Sequence, residues 1–229
     1  MALWYTHLFH AQEACRRLGG LDEGHAGWGA LCCDVDKFTP VARAVSHLGE
    51  EGLGFPPEAF LDRAGLSRAR ARPARSFLAG YLSHLAVDEA WYATLRATLR
   101  PEERPGWGAD ATRAWNILLD AELVERVEAP VRRFPEDGVE AVLPFLDAQA
   151  AGTVRLVGGA YARWPGALDV EPDDPMMIGM VSVFREIVRR EEARVRGPLG
   201  RLDREALHRG VSDFVCATLR RFLDDLDGG

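Results

Sequence analysis

The stretch from Phe77 to Tyr92 (Phe-Leu-Ala-Gly-Tyr-Leu-Ser-His-Leu-Ala-Val-Asp-Glu-Ala-Trp-Tyr) constrains the fold more than any other part of the chain. It is apolar almost throughout and reads as a buried helix. His84 and Asp88 stand four residues apart in it, so imidazole and carboxylate share one helix face and converge on one point. No lysine or arginine lies within a turn of Asp88, and an unpartnered buried carboxylate is costly. Two partners would answer that need: a divalent metal satisfying both side chains, or a His–Asp hydrogen bond holding a helix interior together.

Helical periodicity continues on both sides. Leu8, Ala11, Cys15 and Leu18 mark a first amphipathic helix that Gly19-Gly20 stops. Residues 21–56 carry turn signals with short helical pieces, and Thr39-Pro40 suits an N-cap followed by proline. The pattern predicts a short helix from Pro56-Pro57 to Ala64, then a long one from Pro73 to Leu99 with Ser67 as a cap upstream. Further helices are expected from Asp110 to Val127, over Ala148–Tyr161 and Pro175–Arg196, and from an Asp203 cap to Leu226. Pro130, Pro135 and Pro144 break the stretch between. Alternating strand patterns with hairpin turns are absent. The expectation is an all-α fold, a single helical domain over residues 1–229, with a metal-site half at about 1–127 and a helical C-terminal portion at about 128–229.

Net charge of −7 speaks against broad binding to nucleic acid or to an anionic membrane surface. No window approaches the roughly 18 uninterrupted apolar residues of a membrane span, so no stable membrane insertion is expected. The N-terminal run lacks a basic region and is broken by His7 and His10, unlike a signal peptide. Cys15, Cys32, Cys33 and Cys216 have no C-x-x-C spacing and read as buried thiols of a cytoplasmic protein.

Five of the six histidines fall within the first 84 residues. His7 sits on the apolar face of the first helix, Asp34 follows the apolar Leu31-Cys32-Cys33, and His47 lies in Val45-Ser46-His47-Leu48. Each alone is an ordinary core residue; their joint presence favours a metal. His10 shares roughly the face of His7, as a ligand or a donor to one. His25, between Gly24 and Ala26, reads as a solvated loop residue, and His208 carries little functional weight.

Taken in order, Thr6-His7-Leu8, Cys33-Asp34-Val35, Ser46-His47-Leu48, Gly80-Tyr81-Leu82-Ser83-His84 and Asp88-Glu89-Ala90-Trp91 resemble landmarks of the zinc-dependent phospholipase C family. The match covers about the first 92 residues, and the family's wider fold relatives include zinc-dependent single-strand nucleases. The resemblance implies a multi-helix bundle of that type. It puts Asp34, His47, His84 and Asp88 around one zinc, with Asp88 and His7 sharing in a second. The family's secreted enzymes complete the second site with an N-terminal amine from a tryptophan, a position Trp4 does not occupy. They build a third site from further histidines and a glutamate. Here no histidine lies between Asp88 and His208, so the third zinc is expected to be missing unless Asn116, Asp120 and Glu122 replace it; those three also read as a polar helix face. Cys33 stands where the family has proline.

Mixed His/Asp ligands suit zinc, or manganese or iron where oxygen ligands dominate. The expected activity is metal-dependent phosphoester hydrolysis. One or two zinc ions would activate the attacking water, and the substrate would be a small phosphoester or a lipid head group. Asp34, Asp36 and Glu89 are the candidate catalytic carboxylates, the last two equally readable as cap or surface charges. Arg63, Arg68, Arg70, Arg72 and Arg75 form a cluster able to hold phosphate, or simply a solvated face. Trp4, Tyr5, Tyr81, Trp91 and Tyr92 would line a cleft or fill core. The alternative is a non-catalytic, metal-stabilised helical adaptor. A nuclease is disfavoured by the acidic charge and the lack of a basic stripe with interleaved aromatics.

Overall fold

The computed structural model describes residues 2–49, 71–136, 143, 145–164, 166, 168–169 and 171–228. Among them the chain forms eight helices and no strand: α1 (Trp4–Leu18), α2 (Glu23–Cys32), α3 (Arg43–Ser46), α4 (Arg72–Thr98), α5 (Ala109–Ala121), α6 (Ala148–Arg163), α7 (Pro175–Arg201) and α8 (Arg204–Gly228). A short 3-10 segment, Cys33–Lys37, follows α2 directly. None of the helices is long and apolar enough to cross a membrane.

The apolar run of Phe77–Tyr92 is the middle of α4, and α1, α2 and α8 pack around it, while α5 lies against α7. The closest approach is between α2 and α4. A Cβ on Gly29 would lie 1.8 Å from the Phe77 carbonyl oxygen, and one on Gly80 would lie 1.8 Å from that of Ala26. Glycine at both crossing points lets the two backbones touch. That contact carries the His84 ring to the α2 backbone, with Nδ1 2.6 Å from the Ala30 carbonyl oxygen. Trp28, Phe77, Leu78 and Tyr81 fill the surrounding core, each contributing on the order of 1.5–3 kcal/mol by burial.

Helix ends follow the local chemistry. Gly19 and Gly20 adopt φ of 68° and 70° and stop α1. Asp22, Asp147, Asp174 and Asp203 each accept a hydrogen bond from a first-turn backbone N–H. Several expectations are revised. His25 is buried within α2, its Nδ1 2.7 Å from Asp22 Oδ1, because the capping carboxylate folds over its own first turn. Thr39-Pro40 starts no helix: the Thr39 hydroxyl donates back to the Val35 carbonyl at 2.9 Å, and α3 begins only at Arg43. Gly108, not Asp110, precedes α5, which ends at Ala121, and Asp110 pairs with Arg113 at 3.3 Å. α7 passes Arg196 and carries Pro198 within it to Arg201. The predicted helix over 56–64, the Ser67 cap and Pro144 lie outside the described residues.

Candidate metal centre

Four segments from the first half of the chain meet at one point. His7 comes from α1, Asp34 from the 3-10 segment, His47 from the C-terminal end of α3, and His84 and Asp88 from adjacent turns of α4. His7 Nε2 lies 3.7 Å from Asp88 Oδ1, and His84 Nε2 lies 3.9 Å from Asp88 Oδ2. Asp34 Oδ1 is 3.8 Å from both His47 Nε2 and His84 Nε2. The His7 and His84 rings stack at 3.6 Å and 7°. All five residues predicted as ligands are therefore brought together.

The donor set fits a divalent metal. Ligand atoms about 2.0–2.2 Å from a tetrahedral ion stand about 3.3–3.6 Å apart, a few tenths less than the separations here. His7 Nε2, His47 Nε2, His84 Nε2 and Asp34 Oδ1 are all buried, and none has a hydrogen-bond partner among the described residues. Buried polar atoms are normally satisfied; here His47 and His84 Nε2 face Asp34 Oδ1, and His7 and His84 Nε2 face Asp88. Direct His–Asp hydrogen bonding, the alternative reading of the His84–Asp88 pair, does not occur at 3.9 Å. Among the described residues three ligand groupings are geometrically available: His7/His84/Asp88, Asp34/Asp36/His47 and Cys33/His47/His84. The last is the poorest, since burial holds the Cys33 thiol well above its usual pKa and its sulfur donates to the Ser46 carbonyl at 3.3 Å.

The surroundings fix the ligands' charge and direction. Burial, and then His84 beside it, holds His7 well below the ordinary histidine pKa. Burial, then His84 and Arg43, lowers His47 to about 3. Both imidazoles are thus neutral, as metal ligation requires. For Asp34 burial pushes upward, but Lys37, His84 and His7 outweigh it and hold the carboxyl below the usual range. Its Oδ2 accepts from Lys37 Nζ at 2.5 Å and from the Trp4 indole at 2.8 Å, leaving Oδ1 for the centre. With Nδ1 on the Ala30 carbonyl, His84 presents Nε2 as its lone pair. His47 Nδ1 meets the Ser46 hydroxyl at 2.9 Å, and Asp88 Oδ1 accepts from the Ala2 backbone N–H at 3.0 Å.

A cavity of about 630 Å³ adjoins the cluster. Asp36, Lys37 and Arg43 form its polar wall beside the ligands, and Ile117, Met180, Phe184 and Ile187 form an apolar wall opposite. Trp4 and Tyr92 also line it, whereas Tyr5, Tyr81 and Trp91 are core.

Other candidates fall elsewhere. Asp34 is fully buried among ligands and hydrogen-bond donors, the environment of a ligand rather than of a base open to substrate. Glu89, one step round α4 from Asp88, is exposed and outside the ligand groupings. Asn116 accepts from the Trp91 indole at 3.0 Å, Asp120 accepts from the backbone N–H (2.7 Å) and hydroxyl (2.9 Å) of Thr6, and Glu122 pairs with Arg204 at 2.7 Å. These are structural bonds, not a further metal site. His10 turns away from His7 toward α8, where its Nδ1 meets the Ser212 hydroxyl at 2.9 Å and its ring lies 5.7 Å from the buried His208. Of the arginine cluster, Arg63, Arg68 and Arg70 lie outside the described residues, and Arg72 donates to the Leu21 carbonyl at 3.2 Å, away from the centre. The cations that do reach it, Lys37 and Arg43, have no place in the site expected from sequence. Lys37 had a usable signal, being the chain's only lysine and three residues after Asp34; Arg43 had none. The chain matches no protein-family model, no curated protein and no solved structure.

Proposed function

We propose that this chain is a cytoplasmic, metal-dependent phosphoester hydrolase of the phospholipase C type. The observation that carries the reading is the convergence of unpartnered, buried His7, His47, His84 and Asp34 ligand atoms with Asp88 beside an open cavity. Those five residues would supply the ligands, zinc being the best match to three imidazoles and two carboxylates. When bound, it supplies a Lewis acid that lowers the pKa of a water to about 7 and polarises a phosphoryl oxygen. Asp36 stands at the cavity wall, its Oδ1 oriented by the Ser46 hydroxyl at 3.2 Å, and takes the proton of the attacking water. Lys37 and Trp4 keep Asp34 ionised and aimed inward. The apolar wall suits a phosphoester with an apolar portion, a small molecule or a lipid head group with its glycerol end.

The first test is metal content by inductively coupled plasma mass spectrometry, on wild type and on a His84→Ala, Asp88→Ala double variant. Stoichiometric zinc in wild type, lost from the variant together with metal-dependent hydrolysis of a phosphoester panel, is the expected result. Wild type without metal after reconstitution would sink the reading. Full burial of His7, His84 and Asp34, none of which lines the cavity, favours a second reading: a metal-stabilised protein without catalysis. Bound metal with no hydrolysis of any ester tested would select it.

A further inference from the structure

The metal reading leaves Arg43 unexplained. It is the first residue of α3, the chain's shortest helix among those described, and its guanidinium reaches three carboxylates at once. Nη1 lies 3.6 Å from Asp36 Oδ2 and 3.9 Å from Asp34 Oδ1, and Nη2 lies 3.5 Å from Asp88 Oδ2. None of these is a close, bidentate arginine–carboxylate pair. Nη1 is buried without a hydrogen-bond partner among the described residues, while the side chain as a whole is 40% exposed and forms part of the cavity wall. A guanidinium suspended between carboxylates, and committed to none, occupies the place of a second cation.

Donor supply points the same way. Of the groupings that could take an ion among the described residues, His7/His84/Asp88 meets the guanidinium at a single carboxylate, Asp88. The other grouping that could take an ion, Asp34/Asp36/His47, is the one Arg43 covers through Asp34 and Asp36. There Asp36 Oδ1 already accepts from Ser46 and Asp34 Oδ2 from Lys37. Charge agrees. Asp34, Asp36 and Asp88 against Lys37 and Arg43 leave a formal charge of one negative, which one divalent ion turns to one positive. A second ion would raise it to three positive in a largely buried setting, which is strongly unfavourable.

We propose that the Arg43 guanidinium serves as the second cation of this centre, which therefore holds a single divalent ion, and that the same guanidinium faces the anionic group of the substrate from the cavity wall. The inference rests on the metal reading above. Arginine's planar fork matches two phosphoryl oxygens, and the single surplus positive charge of the loaded centre suits an anion.

The test is ion stoichiometry in the full chain, dialysed against Mn2+ and counted by mass spectrometry, with electron paramagnetic resonance to detect exchange coupling between neighbouring ions. Wild type is expected to hold one uncoupled ion. Arg43→Gln, which removes the charge and keeps much of the volume, is expected to take up a second, coupled ion; held at one ion per chain, it is expected to bind inorganic phosphate at least about tenfold more weakly than wild type. Arg43→Lys is expected to stay at one ion. Two coupled ions in wild type overturn the proposal and leave the metal reading standing; no ion in wild type overturns both. One ion in both wild type and a folded Arg43→Gln overturns the assigned role of the guanidinium. Should Arg43→Gln melt early, the wild-type count together with Arg43→Met decides the matter.

Discussion

Trp4 is not itself a candidate ligand, yet its indole N–H holds the oxygen of Asp34 that points away from the centre. Trp4→Phe keeps an aromatic ring against Phe38 and Tyr161 and deletes that donor. Zinc affinity measured by competition with a chelating dye should fall about 10–100-fold with the melting temperature of the apo-protein little changed. Asp120 gives a second residue-scale expectation. Burial, partly offset by hydrogen bonds from Tyr161 and Thr6, pushes its carboxyl up to about 6. Because the folded pKa lies above the unfolded one, this group's contribution to stability is complete below about pH 4 and is lost as pH rises through about 6. The loss is about 3 kcal/mol. Asp120→Asn removes the titration, so wild-type stability relative to the variant, measured by urea unfolding, should decline by that order between pH 4 and 7. His208 acts in the opposite sense. Burial, then Arg126, lowers it to about 4, so its contribution is present above about pH 6.5 and is lost as pH falls through 4. Acid unfolding of His208→Gln should therefore be shallower over that window.

At the scale of elements, the crossing of α2 and α4 is the most sensitive joint. Gly80→Ala would drive a methyl into the Ala26 carbonyl, and overpacking of this kind costs about 1–3 kcal/mol. Metal affinity should fall with stability, because the same crossing holds His84 on Ala30. Gly152, inside α6 with nothing near its added Cβ, is the control: Gly152→Ala should raise stability by about 0.5–1 kcal/mol. Thermal melts of the two variants should move in opposite directions. The elements also show what was readable in advance. α4 was legible because its apolar run outlasts any turn, and α1 because paired glycines end it. The segment from Cys33 to Ser46 was not, because its path is set by side-chain bonds, Thr39 to Val35 and Ser46 to Asp36, that no periodicity encodes. The candidate ligands were legible for a different reason: a histidine or aspartate in an apolar setting stands out by its cost. Lys37 and Arg43 look like any surface cations until the fold brings them to Asp34. His25 and His10 were misread because a single neighbouring side chain, Asp22 or Ser212, decided where each ring turned.

At the scale of the molecule, the centre joins α1, the 3-10 segment, α3 and α4, so an ion bound there ties four segments together. Chelation should lower the melting temperature, by roughly 10 °C if the ion had been present at about a thousand times its dissociation constant. Differential scanning calorimetry with and without chelator measures this directly. The cavity divides along the chain in the same way. Residues 36–43 form the side next to the cluster, while α5 contributes Thr112, Arg113, Asn116 and Ile117 and α7 contributes Met180, Phe184 and Ile187. Substitutions at Ile117, Met180, Phe184 or Ile187 therefore change the shape and polarity of that side of the cavity while the convergent histidines and aspartates stay as they are. The two sides of the cavity are thus separable by mutation: one can be reshaped without touching the other.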